Sequence, residues 1–61
     1  MKKYKVVEVY DEKVVETTTD SFNEAITVYT DQINGTSYPC DSIAVFVWTD
    51  GGYYCIYSED L

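Results

Sequence analysis

Two kinds of side chain in this 61-residue sequence are numerous enough to act on another molecule: eleven carboxylates and ten aromatic rings, seven of them tyrosines. The usual catalytic groups are missing. The sequence has no histidine, and its four basic residues, Lys2, Lys3, Lys5 and Lys13, include no arginine. The ordinary general base near neutral pH and the planar phosphate clamp are therefore absent. Ser, Thr and Cys nucleophiles need a neighbouring base, and the only candidates are carboxylates in no recognisable motif. A pair of acids tuned to different pKa values needs a cleft, for which so short a chain has little room. Gly51-Gly52 reads as a hairpin turn and not as a phosphate-binding loop. Cys40 and Cys55 without histidine fall short of a four-ligand zinc site, and the acids lack the spacing of a calcium loop. The sequence thus predicts no catalytic residue, no metal site and no cofactor.

The charge is asymmetric. All four lysines lie within the first 13 residues, and from Val14 to Leu61 every charged side chain is acidic, which leaves a formal net charge of -7. Direct nucleic-acid binding needs cations that displace counterions from phosphates, so that partner class is not expected. Acids without internal counter-ions repel one another and steer a protein toward a basic surface. The partner expected is a basic, nucleic-acid-binding protein. The carboxylates expected to meet it are Glu8, Glu16, Asp20, Glu24 and Asp31, of which Asp20, Glu24 and Asp31 follow helical spacing.

These groups must be positioned by a hairpin, a helix and a second hairpin, which make one domain over residues 1–61. Residues 3–10 and 13–19 are rich in Val, Thr and Tyr, which suit a pleated surface. A three-residue loop at Asp11–Lys13 would gather Val7, Val9, Val15 and Thr17 on one face; a two-residue loop would exchange the faces of the second strand. Polarity segregates better with three. Ser21-Phe22-Asn23-Glu24 matches a capping box, in which the serine hydroxyl and the glutamate carboxylate each take a free backbone N–H. Phe22, Ala25, Ile26, Tyr29 and Ile33 then form one apolar stripe, and Gly35 suits the left-handed residue that closes a helix over residues 22–34. Residues 36–41, with the single proline, form a loop.

The second hairpin spans residues 42–49 and 53–58, with a tight turn at Asp50-Gly51 or Gly51-Gly52. Alternation puts Ile43, Val45, Val47, Tyr54 and Ile56 on one face and Ala44, Phe46, Trp48, Tyr53, Cys55 and Tyr57 on the other. Both faces are apolar, and one helix covers only one of them. The ring-bearing face is therefore expected to be a contact surface, with Phe46, Trp48, Tyr53 and Tyr57 as apolar anchors. The partner is either the basic protein or a second copy in a homodimer. A domain this size buries only ~60% of the surface its unfolded chain exposes, so association would help it.

Lys2 and Lys3 are followed by no apolar signal segment, and no apolar run approaches the ~20 residues of a membrane helix. No membrane partner is expected, and the compartment expected is the cytoplasm, with free thiols and Cys55 as a small packed hydrophobe; a Cys40–Cys55 disulfide is the alternative for an exported protein.

The order of elements, together with Glu16-Thr17-Thr18-Thr19-Asp20, is similar to the immunoglobulin-binding domain of protein G. That resemblance implies an α+β, ββαββ, β-grasp-like fold: a four-stranded, mainly antiparallel sheet with one helix on one face and the two terminal strands adjacent and parallel. The helix and third strand lack the antibody-contacting pattern, so no function follows. In size, acidity, aromatic content and lack of catalytic residues the chain resembles small phage-encoded inhibitors, anti-CRISPR proteins and other DNA mimics. That likeness implies an inhibitor that occupies the nucleic-acid site of a host defence complex.

Overall fold

A computed structural model describes residues 1–35 and 39–61. The elements run β1 (Tyr4–Val9), β2 (Val14–Thr19), α1 (Phe22–Ile33), β3 (Ser42–Thr49) and β4 (Gly52–Asp60). The fold is α+β, with one helix against one four-stranded sheet. Part of the loop expected at 36–41 lies outside the described residues.

The sheet order is β2-β1-β3-β4. β1 pairs antiparallel with both β2 and β3, and β3 pairs antiparallel with β4. This corrects the β-grasp expectation: the neighbour of β1 is β3, and the terminal strands are neither adjacent nor parallel.

The first turn differs from expectation as well. Tyr10 N–H donates to the Lys13 carbonyl at 2.8 Å, and Val9 stands opposite Val14. The loop is therefore the two residues Asp11 and Glu12. Tyr4, Val6, Glu8, Val15, Thr17 and Thr19 consequently share the helix side, and Val7 and Val9 point away from it. In the second hairpin, Asp50 (φ 51°) and Gly51 (φ 83°) are both left-handed. That geometry matches the right-handed twist of paired strands and admits Asp-Gly readily.

The core is Val6, Ala25, Cys40, Ile43 and Val45, with Tyr4, Tyr10, Val28 and Tyr29 packed around it. The side of α1 that faces the sheet holds Ala25 and Gln32 fully buried, while Phe22 and Ile33 remain 43% and 41% exposed. The apolar stripe is thus rotated from the expected one, and a glutamine sits where Ile33 was expected. Cys55, expected to pack as a small hydrophobe, is exposed, and Cys40 is the buried cysteine; both thiols are free.

At the helix start, Ser21 Oγ accepts from Glu24 N–H at 3.2 Å, as a capping box requires. The Glu24 carboxylate goes elsewhere. It accepts from the Thr19 hydroxyl at 2.8 Å, and that hydroxyl accepts from Ser21 N–H at 3.0 Å. A threonine thereby replaces the reciprocal half of the box and ties β2 to α1. At the other end Asn34 caps the helix, and Gly35 adopts φ 74°.

Candidate interaction surface

α1 packs on β1, β2 and β3, which leaves the opposite side of the sheet uncovered. Register and alternation assign that open face. It carries Lys5, Val7 and Val9 from β1, Ser42, Ala44, Phe46 and Trp48 from β3, and Tyr53, Cys55, Ser58 and Asp60 from β4. β2 contributes Val14, Glu16 and Thr18.

One half of this face is closed over by the molecule itself. Trp48 and Tyr53 meet edge to face with ring centroids 5.0 Å apart. Lys5 Nζ lies 4.4 Å from the centroid of Tyr53 and 5.8 Å from that of Phe46, a cation–π arrangement. Tyr53 donates its hydroxyl to the Lys2 carbonyl at 2.7 Å. Phe46, Trp48 and Tyr53 therefore come together as expected, but they are half-buried. Tyr57 does not join them. A bulge between Val45 and Phe46 sets Phe46 opposite Cys55 and Val45 opposite Tyr57, so Ile56 has no counterpart in the register. An extra residue in one strand reverses the alternation beyond it. Tyr57 accordingly reaches the helix side, where its ring lies 5.7 Å from that of Tyr29.

The other half is open. Val7, Val9, Ser42, Ile43, Ala44, Phe46, Ser58, Glu59 and Asp60 line a shallow depression of about 150 Å³. Its lining is mostly apolar, with the small Ala44 and Ser42 of β3 beside Phe46. Beyond it stands the acidic end of the sheet. Asp41 donates its N–H to the Val9 carbonyl at 2.7 Å and accepts from Leu61 N–H at 2.9 Å. The neighbouring Asp11 hydrogen-bonds to Asp41 and repels it, which pushes the Asp41 carboxyl above the usual aspartate range. Glu59 and Asp60 complete this end.

The acids singled out by sequence are mostly engaged within the chain. Glu8 is 8% exposed. Its Oε2 accepts from Gln32 Nε2 at 2.6 Å and from the Tyr10 hydroxyl at 3.1 Å. It lies under the helix and cannot meet a partner. Burial and the adjacent Glu8 charge push the Tyr10 hydroxyl and the Cys40 thiol upward. Glu16 pairs with Lys5 Nζ at 3.6 Å and Asp20 with Lys2 Nζ at 3.5 Å. Asp20 also accepts from Lys3 N–H at 3.0 Å, and this bond, aided by Lys2, holds its carboxyl below the usual range. Asp20 precedes the Ser21 cap, so it is not one helical turn from Glu24 as the spacing implied. Asp31 lies half-buried on α1. The structure thus brings none of these five into the acidic end. Asp11, Asp41, Glu59 and Asp60 were missed; the signal that finds them is the two-residue first turn combined with a β4 that runs on to Asp60.

Among the described residues, no group of three His, Cys, Asp or Glu is placed to hold a metal ion. Among the described residues, no helix is long and apolar enough to cross a membrane. Comparison with family models, with curated proteins and with solved structures finds no match.

Proposed function

We propose that this chain is an acidic, non-catalytic inhibitor that docks on a cationic protein through the open half of its sheet. The observation that carries this reading is an apolar depression lined by Val7, Val9, Ala44 and Phe46 that ends at Glu59 and Asp60. An apolar centre with a charged rim is the anatomy of a protein interface. A lysine or arginine of the partner would lay its aliphatic stem along the floor and its cation against Asp60. The finer form of the proposal is a DNA mimic of the anti-CRISPR type that blocks the nucleic-acid site of a host defence complex. Basic grooves of such complexes present the lysines and arginines this surface would take. Two free thiols suit the cytoplasm, and that would be the host's if the chain is phage-encoded.

The test is capture of the partner from host lysate at low and high salt, followed by a nucleic-acid competition assay on the captured protein. Wild-type chain should lose its partner as salt rises. Ala44→Arg, which fills the depression, and Asp60→Lys should each weaken capture by at least about tenfold, or ~1.4 kcal/mol. Salt-insensitive capture, or a captured protein that still binds nucleic acid normally, would count against the proposal. A module that homodimerises through the aromatic face has less to support it, because Lys5 already lies over two of those rings.

A further inference from the structure

The sequence holds two asparagines, Asn23 and Asn34, and only Asn34 is followed by glycine. A glycine nitrogen has no Cβ beside it and approaches a neighbouring carbonyl carbon with little hindrance. Asn34 caps the end of α1 with φ -82° and ψ -5° and is exposed. Gly35 is exposed as well, and among the described residues nothing lies within 4 Å of the point where a side chain would start. The Gly35 nitrogen is restrained by a single described bond: its N–H donates to the Gln32 carbonyl at 3.2 Å, in the last turn of the helix. Terminal turns open more readily than helix interiors. Asn23 has neither advantage. Glu24 follows it, and Glu24 N–H is held by Ser21 Oγ at 3.2 Å. Asp50-Gly51 has the glycine, but a carboxylate has no ammonia to lose.

The structure assigns a modification site to Asn34: its side-chain amide is lost as ammonia, and the carboxylate left behind loosens the last turn of α1. When that turn opens, the Gly35 nitrogen gives its proton to water or hydroxide and attacks Cγ of Asn34. The N–Cγ bond forms, the Cγ–Nδ2 bond breaks, and Nδ2 leaves as ammonia with a proton from solvent. Water then opens the cyclic imide. Cleavage at Cγ leaves aspartate. Cleavage at the backbone carbonyl leaves isoaspartate, whose main chain is longer by a carbon.

Either product makes the chain more negative than its formal -7. The new charge stands at the negative end of the helix dipole, three residues after Asp31, where like charges repel. The last turn holds no basic residue to offset it. That turn contains Gln32, whose Nε2 donates to the buried Glu8 carboxylate at 2.6 Å. A change at an exposed position thus reaches the interior. It involves no residue of the open-face depression and does not depend on the proposed function.

Intact mass and peptide mapping of the purified full chain, fresh and after storage at neutral and mildly alkaline pH, test this. The expected result is conversion of amide to acid confined to position 34, faster at alkaline pH and faster again in urea, which releases the Gly35 N–H. Asn34→Gln should keep its mass over the same period. Asn34→Asp should speed amide exchange in the last turn of α1 by about two- to fivefold. Should Asn34→Gln fail to fold, the map of stored wild-type chain decides the matter, since Asn23 is its internal control. An unchanged mass, conversion at Asn23 ahead of Asn34, a rate no faster in urea than in buffer, or exchange in Asn34→Asp equal to that of wild type would overturn it.

Discussion

Glu8 and Asp41 are both acids near the same end of the sheet, yet their surroundings are opposite. Glu8 lies beneath α1 with Gln32 and Tyr10 donating to its carboxylate. Asp41 stands outside, next to Asp11, with its carboxyl pushed up by that neighbour. A buried charge persists only where donors compensate its lost water, whereas an exposed one can tolerate a like charge because solvent screens it. Net charge therefore does not locate a binding surface. Acids that already have donors hold the fold, and those crowded together at the surface remain available to an outside cation.

The strongest way to break this contrast is to strip the donor from Glu8. Gln32→Leu should destabilise the fold by ~1.5–3 kcal/mol, the range for hydrogen bonds to a charged group, as read by urea denaturation. Glu8→Gln should cost less, because an amide can still bond to Gln32 and Tyr10. A double-mutant cycle would then show coupling between positions 8 and 32. Additive effects would mean that the two side chains do not support each other.

Thr19→Val tests an acid of intermediate kind, Glu24, which ties helix to strand instead of facing a partner. Loss of the hydroxyl should cost ~1 kcal/mol and increase amide exchange at the first turn of α1. Unchanged exchange there would remove the relay from the account.

The smallest effects concern the surface acids and are read best by pH. The lowered pKa of Asp20 means its contribution is present at neutral pH and is lost as pH falls through its depressed value. Asp41 has the opposite sign. Its raised pKa makes the fold relatively more stable below the ordinary aspartate value, and that gain is lost as pH rises through the raised one. At neutral pH Asp20→Asn should therefore lower the melting temperature slightly and Asp41→Asn should raise it slightly. Side-chain NMR titration of Asp41 should move down in Asp11→Asn. A titration unaffected by that substitution would separate the two carboxylates.

Much of the fold was legible because its signals are local. Ser21 and Gly35 bracket α1 through backbone chemistry confined to a single turn, and Asp50-Gly51 selects the second hairpin's turn in the same way. The site was less legible because it depends on parity. One residue fewer in the first loop parted Val15 and Thr17 from Val7 and Val9, and one extra residue at Ile56 moved Tyr57 off the open face. Neither shift changes local composition, so hydrophobic pattern alone could not detect it.

The order of elements, the helix start, the scarcity of catalytic groups and the asymmetry of charge follow from the amino-acid sequence by itself, since each rests on residue type or on neighbours a few positions apart. Only the tertiary structure decided that β1 lies beside β3, that Glu8 is interior, that Lys5 closes over two rings and that Asp11 meets Asp41. Each of those joins residues distant in the chain through register and packing, and strands of similar composition can pair in more than one order until the whole core is assembled.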